Sequence, residues 1–273
     1  VVIQYSCCTH FNFLIMDHIT PSIAIVTLAI GADYIKAMEP GLQSKRDYAK
    51  RHGYDLHIGG KTVWDRTRPI PWSKLKYIFE FIDKYDYIFW SDADVLITNP
   101  NISLTSAVLP LLPPNKDLLW TKDAVGNLNS GNMLLRGKSK WLKDFIERTY
   151  QQTDLINHIW WENAAMIRLF QTVPTDTAKI ETITDYTIFN SYLFGPKNKA
   201  NDPSVRLFAS SDFLLHFAGV IGQWNIYRMM IYINHCLKTG TPHNTTILDI
   251  WYEQSLKSQA DAVTSLAHLK IDI

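Results

Sequence analysis

From Ser22 to Lys138 the chain alternates short apolar runs with longer stretches in which apolar positions recur at a helical period. "SIAIVTLAI" is apolar and β-branched and stops at Gly31, which reads as a buried strand. "DYIKAMEPGLQSKRDYAKRHG" reads as a helix broken near Pro40, because proline removes a hydrogen bond and crowds the preceding turn. "YDLHIG" is a short strand, and "PWSKLKYIFEFIDKY" opens on Pro with Leu75, Ile78, Phe79 and Ile82 along one helical stripe. "DYIFWSD", "DLLWTK" and "SGNMLLRG" are further buried strands. This alternation predicts an α/β fold with a mostly parallel central sheet flanked by helices. Ligands of such sheets gather at the carboxyl ends of the strands.

Beyond Lys138 the pattern predicts helices over "KWLKDFIERTYQQ" and "WENAAMIRLFQ", a looser stretch over "GPKNKANDPS", and a last buried strand, "FLLHFAG", carrying a histidine. The tail "ILDIWYEQSLKSQADAVTSLAHL" reads as an amphipathic helix. No internal repeat or low-complexity segment is present. Residues 1–20 read as an irregular leader or an expression scar, and 21–273 as one domain with a C-terminal helical extension.

The composition, 47% apolar and 19% charged over 273 residues, is that of an ordinary globular domain. A net charge of +1 with interleaved signs leaves no electrostatic footprint for nucleic acid or an anionic membrane. Cys7, Cys8 and Cys236 make no disulfide framework, which fits a reducing compartment. No apolar run reaches the length of a membrane span, and the first residues lack the basic region of a signal peptide. The sequons at Asn101 and Asn244 are common by chance in a chain of this length. The aromatic content, 12% with nine Trp, suits either a large core or a sugar-binding surface.

The chemistry concentrates in "YIFWSDADVLITNP". Asp92 and Asp94 close a buried strand, and carboxylates two apart on an extended segment point the same way. Three readings are open. The pair caps backbone N–H groups, or it ligates Mn²⁺ or Mg²⁺ that also takes a substrate phosphate, or it is the D-x-D-x-[TV] of a haloacid-dehalogenase-type phosphatase. The last is disfavoured, since a full strand-helix-strand-helix unit precedes Asp92 and no downstream paired-Asp motif follows.

Five segments, in order between Ser22 and Trp224, resemble GT-A glycosyltransferases, in particular the GMA12/MNN10 galactosyl/xylosyl/mannosyl transferases (glycosyltransferase family 34), with similarity to glycogenin-like family 8. They are "IVTLAIGADY", "KRDYAKRHGYDL" with "PWSKL", "FWSDADVLITNP", "GNLNSGNMLLR", and "ENAAM" with "LLHFAG". The resemblance implies a single Rossmann-like GT-A domain that moves a hexose or pentose from a nucleotide sugar to a glycan hydroxyl with retention. The donor would be a UDP-sugar, with GDP-sugars left open.

The resemblance assigns Asp92, Asp94 and His216 to Mn²⁺, with Mg²⁺ as the alternative, and through the metal to the donor diphosphate. Leu28, Ile30, Gly31 and Tyr34 fall where uridine is held, and a helix residue facing the core is the other reading of Tyr34. Arg46 and Lys74 are candidates for nucleotide phosphate or ribose, or else solvated surface groups. Ala93 and Gly219 join the donor-binding set, Asn129, Ser130 and Gly131 would line the donor sugar, and Asp123 would accept from a sugar hydroxyl or cap its own loop. Glu162 and Asn163 replace the family's Asp-Gln on the β face of the anomeric carbon, which leaves open which of them faces the sugar.

After His216 the family's phosphate-binding Lys is missing. Val220, Ile221, Gly222 and Gln223 stand there, with Arg228 as a substitute one turn beyond Trp224. Trp160, Trp161 and Trp224 are candidates for a sugar-stacking wall at the mouth. Two other classes remain open: a non-catalytic GT-A module that binds a glycan or nucleotide, and a metal-dependent phosphatase or pyrophosphorylase. The compartment would be the cytoplasm for a native, complete chain and the Golgi lumen for an excised catalytic domain.

Overall fold

The computed structural model describes residues 20–195 and 205–268, with side chains to Lys257. All but Thr20 of the leader expected over residues 1–20, and most of the looser stretch expected around 195–204, lie outside the described residues. The order begins β1 (Ile23–Leu28), α1 (Ala32–His52), β2 (Asp55–Gly59), α2 (Ser73–Phe79), β3 (Tyr87–Ser91) and β4 (Val95–Ile97). It continues through β5 (Leu118–Lys122), β6 (Leu128–Arg136), α3 (Lys140–Tyr150), α4 (Trp161–Thr172), the one-turn α5 (Pro174–Thr177), β7 (Ile180–Ile183) and β8 (Ser191–Tyr192). The last elements are β9 (Leu214–His216), α6 (Gln223–Thr239) and α7 (Thr245–His268). No described helix is long and apolar enough to cross a membrane.

The central sheet runs β2-β1-β3-β6-β5-β7. β2, β1 and β3 are mutually parallel, as are β5 and β7, while β6 is antiparallel to both its neighbours. The reversal follows from the short connection between β5 and β6, which permits only a hairpin. Its turn is closed by bonds from Asp123 N–H to Asn127 O and from Gly126 N–H to Asp123 O. The strands are nearly continuous apolar runs because both faces are covered. Trp72, Leu75, Ile78 and Phe145 pack with Trp90 and Trp120 on one side, and Tyr48, Leu104 and Phe213 with Ile25 and Phe89 on the other.

"FLLHFAG" does not join this sheet. Its β9 lies in a second, three-stranded sheet ordered β4-β9-β8, antiparallel to β4 and parallel to β8. The antiparallel register sets Val95 opposite His216, which brings the histidine beside the aspartate turn.

α1 is one continuous helix, contrary to the break expected at Pro40. A mid-helix proline costs about 3 kcal/mol, and here tertiary burial outweighs it: Ala37, Met38, Leu42, Lys45, Tyr48 and Ala49 are all buried. The following Gly41 has a separate purpose. A Cβ built on it would lie 2.6 Å from Ala93 O and 2.7 Å from Val95 O, so only glycine lets the helix rest on the aspartate turn.

Candidate active site

The turn between β3 and β4 carries Asp92 and Asp94, and three neighbouring elements hold its backbone. Asp92 N–H donates to Gly131 O at 2.7 Å from β6, Phe217 N–H donates to Asp94 O at 3.0 Å from beyond β9, and Lys45 Nζ donates to Val95 O at 2.6 Å from α1. Ala93 is buried between the two carboxylates. Trp90 Nε1 donates to Asp92 Oδ1 at 2.7 Å, which fixes that carboxylate's rotamer.

Ligand atoms of Asp92, Asp94 and His216 lie within 4.8 Å of one another, and His216 Nε2 is 3.5 Å from Asp94 Oδ1. Two hard oxygen donors and an imidazole suit a divalent cation. The surroundings are shaped for the ring: a Cβ on Gly131 would lie 2.2 Å from His216 Cε1, so this glycine leaves room for the histidine. Burial works to raise the Asp94 carboxyl, but His216 and Lys45 outweigh it and hold the group below its usual range. The residues present therefore fit a bound metal.

Beside this group sits a buried ion pair. Lys74, 4% exposed, places Nζ 2.8 Å from Glu162 Oε1 and 3.2 Å from Asp92 Oδ1. It also donates to Ser130 O at 3.1 Å and to Ser130 Oγ at 3.2 Å. Lys74 is thus neither a surface group nor a free phosphate ligand. Burial opposes its charge, and Asp92 and Glu162 more than restore it. For Glu162 burial is the dominant influence and raises its carboxyl, with Lys74 opposing. Glu162 Oε1 also accepts from Ser130 Oγ at 3.2 Å, whereas Oε2 is buried without a partner among the described residues.

The same strand separates the two residues of the Glu-Asn pair. Asn163 accepts from Ser130 N–H at 2.9 Å and donates from Nδ2 to Leu128 O at 3.1 Å, so its amide extends the β6 hydrogen-bond edge and both its polar atoms are engaged.

Gly31, with φ of 101°, ends the first strand's loop and precedes α1, a backbone state that disfavours any side chain. Leu28 and the buried Ile30 flank that loop. Tyr34 is half-buried in the first turn of α1, and burial, then the charges of Asp94 and Asp92, raise its hydroxyl well above the usual range. Asn129 Oδ1 accepts from Gly131 N–H at 2.9 Å. Gly219, with φ of 80°, turns the chain after β9.

Other predicted residues are engaged elsewhere. Arg46 pairs with Glu39 at 2.6 Å and with Gln43 on the outer side of α1. Asp123 accepts from the N–H groups of Val125 at 3.0 Å and Asn127 at 2.9 Å, the loop-capping arrangement. Burial still raises its carboxyl. Arg228 donates to Trp251 O and Gln254 Oε1, each at 3.2 Å, and stacks on the Trp251 ring, so it serves the α6–α7 contact. Val220, which stands where the family's Lys is missing, is buried. Trp160 and Trp161 are exposed directly before Glu162, and Trp161 adopts a φ of 43°, strained for a bulky residue. Trp224 is exposed against Lys36 and Tyr227 on the α1–α6 side. A groove of about 670 Å³ between α1 and α6, lined among others by Gln43, Ile97 and Ile231, contains none of the predicted site residues.

Sequence reasoning missed Lys45, Asn132 and Asn190, all fully buried. Their only signal is a polar residue on an otherwise apolar face, as in "IFNSYLF".

The sheet and the helices that cover it have the GT-A glycosyltransferase fold. A glycosyltransferase involved in glycosylating the major capsid protein of PBCV-1 superposes with a TM-score of 0.60 at 17% identity, covering 77% of this chain and 99% of that one. The apo-form glycosyltransferase GlyE of Streptococcus pneumoniae TIGR4 does so with a TM-score of 0.51 at 16% identity, covering 86% of this chain and 64% of its own. Within that fold the chain resembles the galactosyl transferase GMA12/MNN10 family, whose model matches residues 20–115. An uncharacterized alpha-1,2-galactosyltransferase of Schizosaccharomyces pombe is 26% identical over 219 residues, covering 65% of this chain. The chain spans about half of that relative's length, 55%.

Proposed function

We propose that this chain is a metal-dependent glycosyltransferase domain that moves a hexose or pentose from a nucleotide sugar to a glycan hydroxyl with retention at the anomeric carbon. The observation that carries the proposal is the convergence of Asp92, Asp94 and His216 beside the buried Lys74–Glu162 pair. The family match over residues 20–115 and the GT-A fold support the same reading. The relative's printed name makes galactose the first sugar to try, and the resemblance of the β1 segment to uridine loops favours UDP.

Asp92, Asp94 and His216 would hold Mn²⁺ or Mg²⁺, which when bound offsets the charge that grows on a diphosphate leaving group. Lys74 keeps Asp92 and Glu162 at fixed separation and supplies a permanent positive charge between them. Asn129, Ser130 and Gly131 would line the donor sugar, with Ser130 in contact with both Lys74 and Glu162. Glu162 is the group for the β face of the anomeric carbon: its buried Oε2, without a hydrogen-bond partner among the described residues, would stabilise positive charge there or attack. Asn163 positions the β6 edge instead. The exposed Trp160 and Trp161, next in sequence to Glu162, offer the acceptor an aromatic ledge.

A GT-A module that binds without turnover is the second reading. It is favoured by the lack of a cation after His216, since Arg228 is committed to α7. Calorimetry with UDP and GDP, paired with donor-cleavage assays with and without Mn²⁺, tests the proposal. Binding with metal-dependent cleavage, lost in Asp92→Asn, supports transfer. Binding with no cleavage of any donor, in the presence of acceptor glycans, supports the module. Release of inorganic phosphate instead of sugar favours phosphatase chemistry.

A further inference from the structure

Asn190 lies behind His216, on the side away from the aspartates. Both residues are buried, at 0% and 3% exposure, and His216 Nδ1 is 2.9 Å from Asn190 Oδ1. We infer that Asn190 is a positioning residue that fixes His216 in the tautomer with Nδ1 protonated and Nε2 bare, aiming a lone pair into the space shared with Asp92 and Asp94.

The proton assignment follows from a chain of bonds that begins at a backbone group. Gly131 N–H donates to the Asn129 side chain at 2.9 Å, and a backbone N–H can only donate, so that Asn129 atom is the amide oxygen. This oxygen also faces an Asn190 side-chain atom at 3.4 Å, which must therefore be the Asn190 nitrogen. The other Asn190 atom is then its oxygen. It accepts from Asn132 Nδ2 at 2.8 Å and meets His216 Nδ1, which must carry a proton to bond to it. The Tyr192 hydroxyl completes the set by accepting from Asn190 Nδ2.

One consequence appears on the opposite side of the ring. With Nδ1 protonated, a neutral His216 presents a bare Nε2 to Asp94 Oδ1 at 3.5 Å, two acceptors facing each other. That pairing is favourable only with a cation between them or a second proton on the ring. A histidine whose far nitrogen is held by an outer hydrogen bond is the arrangement that orients imidazole ligands of metals, and loss of the outer partner typically costs 10–100-fold in metal affinity. The inference rests on the metal reading proposed above, and it adds what sets that site's geometry.

The test has a readout independent of turnover. In metal-free protein labelled with ¹⁵N-histidine, at a pH of about 8.5 where an ordinary imidazole is neutral, long-range proton–nitrogen spectra report each ring's tautomer. His216 is identified by the signal lost in His216→Asn. The expected result is an Nδ1–H tautomer in wild type. In Asn190→Leu the ring should shift toward Nε2–H and Mn²⁺ affinity, measured by the electron-spin resonance of free Mn²⁺, should fall about 10–100-fold. Asn190→Asp, which keeps an acceptor oxygen, should retain the tautomer and bind Mn²⁺ within a few-fold of wild type.

An Nε2–H ring in wild-type protein that still binds Mn²⁺ overturns this inference alone. So does Asn190→Leu with wild-type affinity. A wild-type protein with the Nδ1–H ring and no Mn²⁺ binding overturns the metal reading and the inference with it. Because the wild-type spectrum decides the tautomer, the test stands even where Asn190→Leu fails to fold.

Discussion

The Lys74 ammonium lies 2.8 Å from Glu162 Oε1, both side chains almost wholly buried, and it is the closest charged partner of the carboxylate proposed to face the donor. A buried pair of this kind contributes little net stability, but removing one partner alone strands the other and typically costs about 3–5 kcal/mol. Lys74→Met should therefore destabilise the protein by that order and abolish transfer. The double variant Lys74→Met/Glu162→Leu should recover stability and leave transfer absent. Chemical denaturation of both variants measures this, and a double variant no more stable than the single one would refute the pairing.

Glu162→Gln keeps the side chain's size and its place beside Lys74 and Ser130 while removing the charge. Nucleotide binding should be preserved and donor cleavage should fall by several orders of magnitude. Asn163→Asp, which perturbs the β6 edge at Ser130 and Leu128, should instead be felt as lost stability with a much smaller loss in kcat. Steady-state kinetics on the two variants separate these roles.

At Gly131 the missing Cβ makes room for His216, because the added atom would come within 2.2 Å of Cε1. Gly131→Ala should displace the imidazole, weaken Mn²⁺ binding at least tenfold and, as an overpacked core position, cost about 1–3 kcal/mol. A Gly131→Ala protein that binds Mn²⁺ as wild type does would show that the ring has another place to go.

Much of this site is legible in the chain because its groups stand at strand ends. Asp92 and Asp94 close an unmistakable apolar run, and His216 ends another. Their meeting is less legible, since it depends on β4 and β9 pairing antiparallel in a sheet that alternating periodicity does not reveal. Pro40-Gly41 misleads for a related reason: propensity argues for a break, while the close approach of α1 to Ala93 and Val95 is a tertiary fact. Lys45 and Asn190 are invisible to motif reasoning because their partners, Val95 O and His216, lie far away in sequence. The different contacts of Glu162 and Asn163 are likewise out of reach of side-chain length, since the Asn163 amide is engaged by Ser130 N–H and Leu128 O of β6.

Lys45 makes stability depend on pH. Burial lowers its amine from 10.5 to about 7, against the opposing pull of Asp94 and Asp92. Below that pH the amine is charged in both folded and unfolded chains, and the full cost of burying the charge is present. From pH about 7 upward to about 10 the unfolded chain still holds a proton that the folded one has shed, so stability rises with pH through this window. Lys45→Met should flatten that rise, as read from urea midpoints at several pH values; an unchanged slope would assign it to other groups.

Trp160 is exposed next to the strained Trp161, at the start of the helix that carries Glu162. If this ledge stacks an acceptor sugar, Trp160→Ala should raise the acceptor KM about fivefold or more, since aromatic contacts of this kind are worth about 1 kcal/mol or more. The slow, acceptor-independent hydrolysis of the donor should be unaffected. Parallel loss of both activities would place Trp160 in the donor site instead.

Metal-dependent glycosyl transfer with retention is read out by a proton NMR time course on the purified chain with UDP-galactose and other UDP- and GDP-sugars. Sugar should be released only with Mn²⁺ or Mg²⁺, with the first-formed anomer matching that of the donor, and not at all in Asp94→Asn. First release of the opposite anomer would contradict retention. Turnover that persists without metal or in Asp94→Asn would contradict the assignment of Asp92, Asp94 and His216.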